Sequence, residues 1–253
     1  MNLGDIDIPA LELVAARAWP AAREGRIGDW RLFASSGYSG RINACWPLGD
    51  AGLAPAEAIV AVEAWYAGQS QPPLFKIVDT AASSALIDDL RRSGYRPRTE
   101  TLMMTAPIAR GVAAEVRLTA DFNHAFAAVF AAAGPGDLGD TRERLAALAR
   151  VPSPRAFASL EIAGRPAAIG AVAVEGQWAG VFAMRTDPAQ RRQGLARRVL
   201  AALTGWAAGK AATRAWLQVE AANAAAMSLY AAAGFEEAYR YRYWERVERS
   251  DLH

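Results

Sequence analysis

Four arginines surround one glycine in the stretch Arg191-Arg192-Gln193-Gly194-Leu195-Ala196-Arg197-Arg198. A strand-like run over 178–185 precedes it, and a helical pattern begins at Gly194. The first turn of a helix leaves backbone N–H groups without acceptors and carries the positive end of the helix dipole, so it is a natural seat for an anion. A glycine at that point lets a phosphate approach the backbone, and guanidinium groups add charge suited to a ligand with several phosphates. The Gly-Lys-Ser/Thr end of a nucleoside-triphosphate loop is missing, as is the Gly-x-Gly-x-x-Gly turn of dinucleotide folds. Further on, Asn223 and Tyr230 stand seven residues, two helical turns, apart. They can address one ligand from one helix face.

Holding such a turn in place requires a strand before it and a packed helix after it. The spacing of Leu195, Val199, Leu203 and Trp206 predicts a helix over 194–208 with one apolar stripe. Around it the pattern predicts a strand over 214–219, a helix over 224–233 ended by Gly234 as a left-handed cap, and a final strand pair around 237–246. Upstream come a strand over 115–118, helices over 121–132 and 141–150, and strands over 156–162, 167–174 and 178–185. The first half reads as a helix over 10–23, strands over 30–34 and 41–47, a helix over 55–67, a strand over 74–78, a helix over 84–92 and a strand over 100–104. Proline and glycine punctuate 106–111, the expected linker.

The two halves echo each other. Gly52-Leu53-Ala54 opens a helix as Gly194-Leu195-Ala196 does, 142 residues later, and Gly94-Tyr95 closes a helix as Gly234-Phe235 does, 140 residues later. This suggests one duplicated unit whose chemistry survives in one copy. Before Gly52 stands Leu48-Gly49-Asp50-Ala51, acidic where the second half has arginines.

With 253 residues, 53% hydrophobic, the chain can bury one large core or two moderate ones. A net charge of +2 with mixed signs gives no polycationic surface, so no nucleic-acid partner is expected. The single Cys45 excludes an internal disulfide, and with only His124 and His253 besides it, no metal is expected. No apolar run approaches the roughly 20 residues of a membrane span, and 1–9 lacks the pattern of a secretory signal. The expectation is a cytoplasmic protein with no membrane partner, a homodimer remaining possible.

At Arg191–Ala196 the pattern Arg/Gln-x-x-Gly-x-Gly/Ala, after a strand and before a helix, resembles the pyrophosphate loop of the GNAT superfamily of N-acetyltransferases. A second block agrees: Trp216-Leu217-Gln218-Val219, then Asn223, Met227, Tyr230 and Gly234-Phe235, is similar to that family's Asn-x-x-Ala-x-x-x-Tyr-x-x-x-Gly-Phe region. The resemblance implies the α/β (α+β) GNAT acyl-CoA N-acyltransferase fold, a mixed central sheet flanked by helices. It divides the chain into a truncated, degenerate GNAT-like unit over 1–106, a linker over 107–114 and a catalytic unit over 115–253.

It further implies acetyl-CoA as co-substrate and an amine-bearing acceptor, small molecule or protein. Met184, Arg185 and Thr186 would hold the pantetheine arm, Arg191, Arg192, Gln193, Gly194, Leu195 and Ala196 the pyrophosphate, and Asn223 the pantetheine side. Tyr230 would face the sulfur and protonate the departing thiolate, a transfer between groups of similar basicity. Backbone N–H groups near Met184 would stabilise the oxyanion as a neutral amine attacks directly. Gln218 stands where some members that acetylate protein N-termini carry a Glu, so the base is Glu161, Glu175, Glu220 or water. A binding module that senses acyl-CoA without turnover is the alternative; retention of Tyr230 argues for chemistry.

Overall fold

Apolar periodicity along the chain resolves into seven α-helices and eleven strands in the computed structural model, which describes residues 6–108, 114–134 and 136–247. The chain forms two compact units. Unit 1 comprises Met1–Leu102, Glu220–Ala222 and Tyr239–His253; unit 2 comprises Met103–Val219 and Asn223–Ala238.

Unit 1 begins with helix α1 (Ile8–Ala18), capped by the Asp7 side chain and stopped at Trp19, the residue before Pro20. The helix expected over 10–23 therefore ends early, and Arg23–Ile27 forms an edge strand, β1, that the polar sequence Arg-Glu-Gly-Arg-Ile did not announce. Strand β2 (Trp30–Ala34) pairs with it antiparallel. The strand expected over 41–47 is mostly a 3₁₀ turn, Gly40–Ile42, followed by a two-residue β3 (Cys45–Trp46). Helix α2 (Pro55–Ala67), strand β4 (Leu74–Val78) and helix α3 (Ser84–Arg92) match the sequence reading at both ends. Strand β3 runs parallel to β4, with α2 as the crossover.

On β4, Phe75 and Ile77 face α2 and α3 in a core with Trp30, Ile59, Val62, Tyr66 and Trp244. The intervening Lys76 is almost wholly buried and bonds Glu12 of α1, which is buried too. Strand β5 (Tyr95–Pro107) starts in unit 1 and ends in unit 2.

Unit 2 continues with β6 (Arg117–Thr119), α4 (His124–Ala132), α5 (Leu138–Arg150), β7 (Arg155–Ile162), β8 (Arg165–Glu175), β9 (Trp178–Thr186), α6 (Leu195–Ala208), β10 (Arg214–Glu220) and α7 (Ala224–Ala232). Its strand order is β5-β10-β9-β8-β7-β6. Leu195, Val199 and Leu203 of the expected α6 stripe are buried, while Trp206 is half-buried under Lys210.

The final strands depart from the linear boundary drawn through 107–114. Instead of a strand pair, 237–246 is one strand, β11 (Glu236–Arg246), whose Tyr241–Glu245 portion pairs antiparallel with Val78–Leu74 of β4 in unit 1. Unit 1 thus has the strand order β1-β2-β3-β4-β11-β5. The exposed edge of β4 needs a hydrogen-bonding partner, and β11 brings Tyr239, Tyr241 and Trp244 to bury beside it. Linker residues 109–113 lie outside the described residues.

Candidate active site

A cleft of about 500 Å³ opens in unit 2 between the end of β9, the first turn of α6 and helix α7. It starts where two strands part. Strands β9 and β10 are parallel neighbours at only three positions, Trp178↔Arg214, Ala179↔Ala215 and Gly180↔Trp216. Beyond them β9 runs on to Thr186 and β10 to Glu220.

A bulge in β9 accompanies the parting. Against β8 the register jumps from Ile169↔Arg185 to Ala171↔Phe182, so Ala183 and Met184 together oppose Gly170, and Ala183 takes a left-handed φ of 56°. The extra residue re-aims the backbone of the following segment. Gly170 is what lets it fit: a Cβ there would lie 2.5 Å from Met184 Sδ and 2.9 Å from Leu203 Cδ1. The bulge escaped the sequence reading because alanine carries no signal for φ > 0. The glycine inside an otherwise apolar strand was the available clue.

Arg192 and Gly194 are both left-handed, with φ of 64° and 73°, and Gly194 is the N-cap of α6. Open space lies where a Gly194 Cβ would point. The first intrahelical bond runs from Arg198 N–H to Gly194 C=O, so the amides of Leu195, Ala196 and Arg197 precede it. Helices α1, α4, α5 and α7 are capped by their own Asp7, Asn123, Asp137 and Asn223, whereas the N-cap residues of α2, α3 and α6 give no side-chain cap. A helix start left uncapped beside left-handed backbone is an anion seat.

Of the residues singled out from sequence, Met184, Arg185, Thr186, Arg191, Arg192, Gly194, Leu195, Ala196, Asn223 and Tyr230 all line this cleft. Gln193 does not; its side-chain amide donates to Gln190 Oε1 at 3.0 Å. Arg197 lines the cleft, but Arg198 is held away by Glu115, its Nε 2.6 Å from the carboxylate. The Glu115 carboxyl is correspondingly pulled below its ordinary range by the guanidinium hydrogen bond.

Arg185 donates to the Ala133 carbonyl and lies over the Phe130 ring, which ties the end of α4 to the site. The Asn223 side-chain Oδ1 accepts from Ala226 N–H at 3.1 Å, so its Nδ2 is the side-chain atom left to donate to a ligand. Tyr230 is 8% exposed, its ring edge-on to Phe235 with centroids 6.0 Å apart. Ala133, Gln190, Ala225, Ala226 and Leu229, not singled out from sequence, complete the walls.

Among the described residues four arginines and no carboxylate belong to the lining. Among the glutamates considered as base, Glu175 pairs with Trp178 at the opposite end of β9 from Met184. Six residues of strand, roughly 20 Å, separate the two ends, which removes Glu175 from the site. Glu161, on β7, lies opposite Pro166 of β8, and Glu220 ends β10; neither lines the cleft. His124 is exposed at the start of α4 and is not part of the lining.

Comparison with known proteins extends over most of the chain. The profile of the family described as probable histone acetyltransferase Rv0428c C-terminal matches residues 6–244. The uncharacterized N-acetyltransferase YobR of Bacillus subtilis is 28% identical over 251 residues, covering 96% of this chain and 99% of that one. A GCN5-related N-acetyltransferase from Kribbella flavida superposes with a TM-score of 0.70 at 16% identity, covering 97% of this chain and 98% of that one. A tandem GNAT protein from the clavulanic acid biosynthesis pathway does so with a TM-score of 0.60 at 12% identity, covering 92% and 86%. At those identities the two structures speak for the fold. Among the described residues no helix is long and apolar enough to cross a membrane.

Proposed function

Because the chain belongs to the family described as probable histone acetyltransferase Rv0428c C-terminal, acetyltransferases of the GNAT fold, we propose that unit 2 transfers an acetyl group from acetyl-CoA to a primary amine. The observation that carries this reading is the composition of the cleft, with four arginines, an uncapped helix start and no acidic residue around a left-handed glycine. That chemistry suits the phosphates of acetyl-CoA, and the open space at Gly194 suits close approach of a phosphate to backbone.

Arg191, Arg192 and the amides of Gly194, Leu195 and Ala196 would take the pyrophosphate, while the backbone of Met184 and Thr186 and the amide nitrogen of Asn223 would hold the pantetheine arm. When bound, acetyl-CoA supplies the activated thioester. The protein does the rest. Backbone N–H groups displaced by the bulge at Ala183 and Met184 donate to the carbonyl oxygen as negative charge gathers on it. The Tyr230 hydroxyl, aligned by the Phe235 ring against its own, passes its proton to the departing sulfur. With no carboxylate in the lining, water accepts the proton of the amine.

Unit 1 reads as a truncated copy of the same design. Gly52 and Gly194 have φ of 69° and 73°, and Gly94 and Gly234 have 86° and 83°. In each unit a helix links two parallel strands. The copies are not identical in register, since α2 starts three residues after Gly52, at Pro55, where α6 starts directly after Gly194. A cytoplasmic protein remains the reading for its location.

Calorimetric titration with acetyl-CoA and CoA, beside a thiol-release assay over a panel of amines, tests the proposal on wild type and Tyr230→Phe. The expectation is saturable binding in both and a fall in kcat of about 100-fold in the variant, the low end of what general acid catalysis contributes. Binding with no thiol release on any amine would favour a sensor, and no binding would overturn the reading.

A further inference from the structure

A second and larger cleft, of about 720 Å³, lies in unit 1. Like the cleft of unit 2 it includes the loop before a crossover helix, here Gly49–Leu53 ahead of α2, and the start of the next helix, here Ser83, Ala85 and Leu86; its strand end, Ile77 and Val78, belongs to β4 after the crossover helix, where unit 2 uses β9 before it. Its size falls inside the roughly 300–1,000 Å³ range of small-molecule sites.

The chemistry of its lining is reversed. The anion niche is already occupied by the protein itself, because the Asp50 carboxylate accepts from Gly52 N–H at 2.8 Å and Glu57 accepts from Ala54 N–H at 3.3 Å. Among the described residues no lysine, arginine or histidine belongs to the lining, and the charged ones there are Asp7 and Asp50. Each of these carboxylates uses one oxygen on local backbone, Asp7 on Ala10 N–H and Asp50 on Gly52 N–H. Most of the remaining wall is apolar and includes Trp30, whose indole N–H is tied to the Gly49 carbonyl at 3.1 Å. Leu53, 44% exposed, stands at this cleft as one of the few large apolar side chains of the described residues left in water.

We propose that this cleft is a second ligand site, and that it takes a small molecule with an apolar body and a positively charged amine. A nucleotide is excluded by the same features, since its phosphates would meet two carboxylates and a filled niche. The site is independent of acetyl-CoA binding in unit 2, so either can fail alone.

The test uses the full chain and three probes of equal apolar length: n-octylammonium, n-octanol and n-octanoate. Binding is followed by the indole N–H resonance of Trp30 and by calorimetry. The expected result is a saturable shift of that resonance, with octylammonium bound at least about tenfold more tightly than octanoate. Asp7→Asn and Asp50→Asn keep an acceptor oxygen for their caps and should each weaken octylammonium by about fivefold, the worth of one charge a few ångströms away in water. Ala85→Trp, at an exposed position of the wall, should abolish binding of all three probes while acetyl-CoA titration stays at the wild-type value. Absence of a Trp30 shift overturns the site. Equal affinity for the three probes, indifferent to both Asn variants, overturns its charge preference, and displacement of octylammonium from Trp30 by CoA overturns its distinction from a nucleotide cleft.

Discussion

Unit 1 buries one ion pair in its interior, and unit 2 gathers its arginines at an opening. In unit 1, Lys76 and Glu12 are buried against each other, with the Lys76 ammonium 3.7 Å from the Trp46 ring centroid and 4.1 Å from that of Tyr241, and the Tyr239 hydroxyl donating to Glu12 at 2.7 Å. Asp50 and Glu57 likewise bond the loop before α2. In unit 2 the start of α6 has no side-chain cap, and Arg191, Arg192 and Arg197 are exposed beside it. A left-handed glycine shortly before a crossover helix therefore supports two different outcomes. A glycine-led helix start makes an anion seat, and the neighbouring side chains decide whether the anion is the protein's own carboxylate or one that arrives with a ligand.

The largest effect should come from breaking the internal pair. Glu12→Leu leaves Lys76 buried without its partner and should lower stability by about 3–5 kcal/mol in denaturant unfolding, whereas Arg192→Leu in unit 2 should change it by less than about 0.5 kcal/mol. Equal costs would mean that the contrast between the units is not electrostatic.

Next in size is the backbone of the two turns. Gly194→Val forces a branched side chain into left-handed backbone and should weaken acetyl-CoA by roughly 30-fold, equivalent to about 2 kcal/mol of strain. Gly52→Val carries the same strain, so its cost should appear in unfolding, with acetyl-CoA affinity unchanged. A loss of affinity in the Gly52 variant would show that the first turn also serves the nucleotide.

Charge substitutions should act more gently. Arg191→Ala and Arg192→Ala should each weaken acetyl-CoA by about tenfold at low salt, as expected for one charge-assisted hydrogen bond, and by less at high salt. Asp50→Asn should leave that affinity alone.

The smallest effect is a pH slope. Burial pulls the Lys76 ammonium down from 10.5 to about 8, partly offset by the Glu12 carboxylate. Between those values the unfolded chain binds the proton that the folded one has lost, so this group makes stability rise as pH rises from 8 toward 10.5. Measured between pH 7.5 and 8.5, wild type should gain less than about 1 kcal/mol relative to Lys76→Met. The buried Cys45 thiol, raised by desolvation, is common to both proteins and cancels from the difference. A gain of the opposite sign would place the charge pair in a wetter setting than its burial indicates.

Much of unit 2 was written locally. The stripe Leu195, Val199, Leu203 needs only the 3.6-residue period to be read, and the Asn223 to Tyr230 spacing needs only two turns of α7, so ten of the eleven singled-out residues meet in one cleft. The misses have nonlocal or silent causes. Strand β1 has no apolar alternation because it is an edge with polar residues outward. The bulge at Ala183 depends on space above Gly170 that Met184 and α6 fill from elsewhere in the chain. Glu175, Glu161 and Glu220 were equal as candidate bases on paper, and only strand register separates Glu175 from the cleft.

By itself, then, the sequence determined the periods of the elements, the glycines that start and stop helices, and the arginine-rich turn that a polyphosphate would seek. These follow from backbone geometry and side-chain type within a few residues. The tertiary structure decided what lies beside each turn. It set Asp50 in one niche, left the other open, joined Lys76 to Glu12 across 64 residues and gave the final strand to unit 1. Such pairings are fixed by which distant surfaces bury together and by where unpaired backbone finds a partner, and no local pattern encodes either.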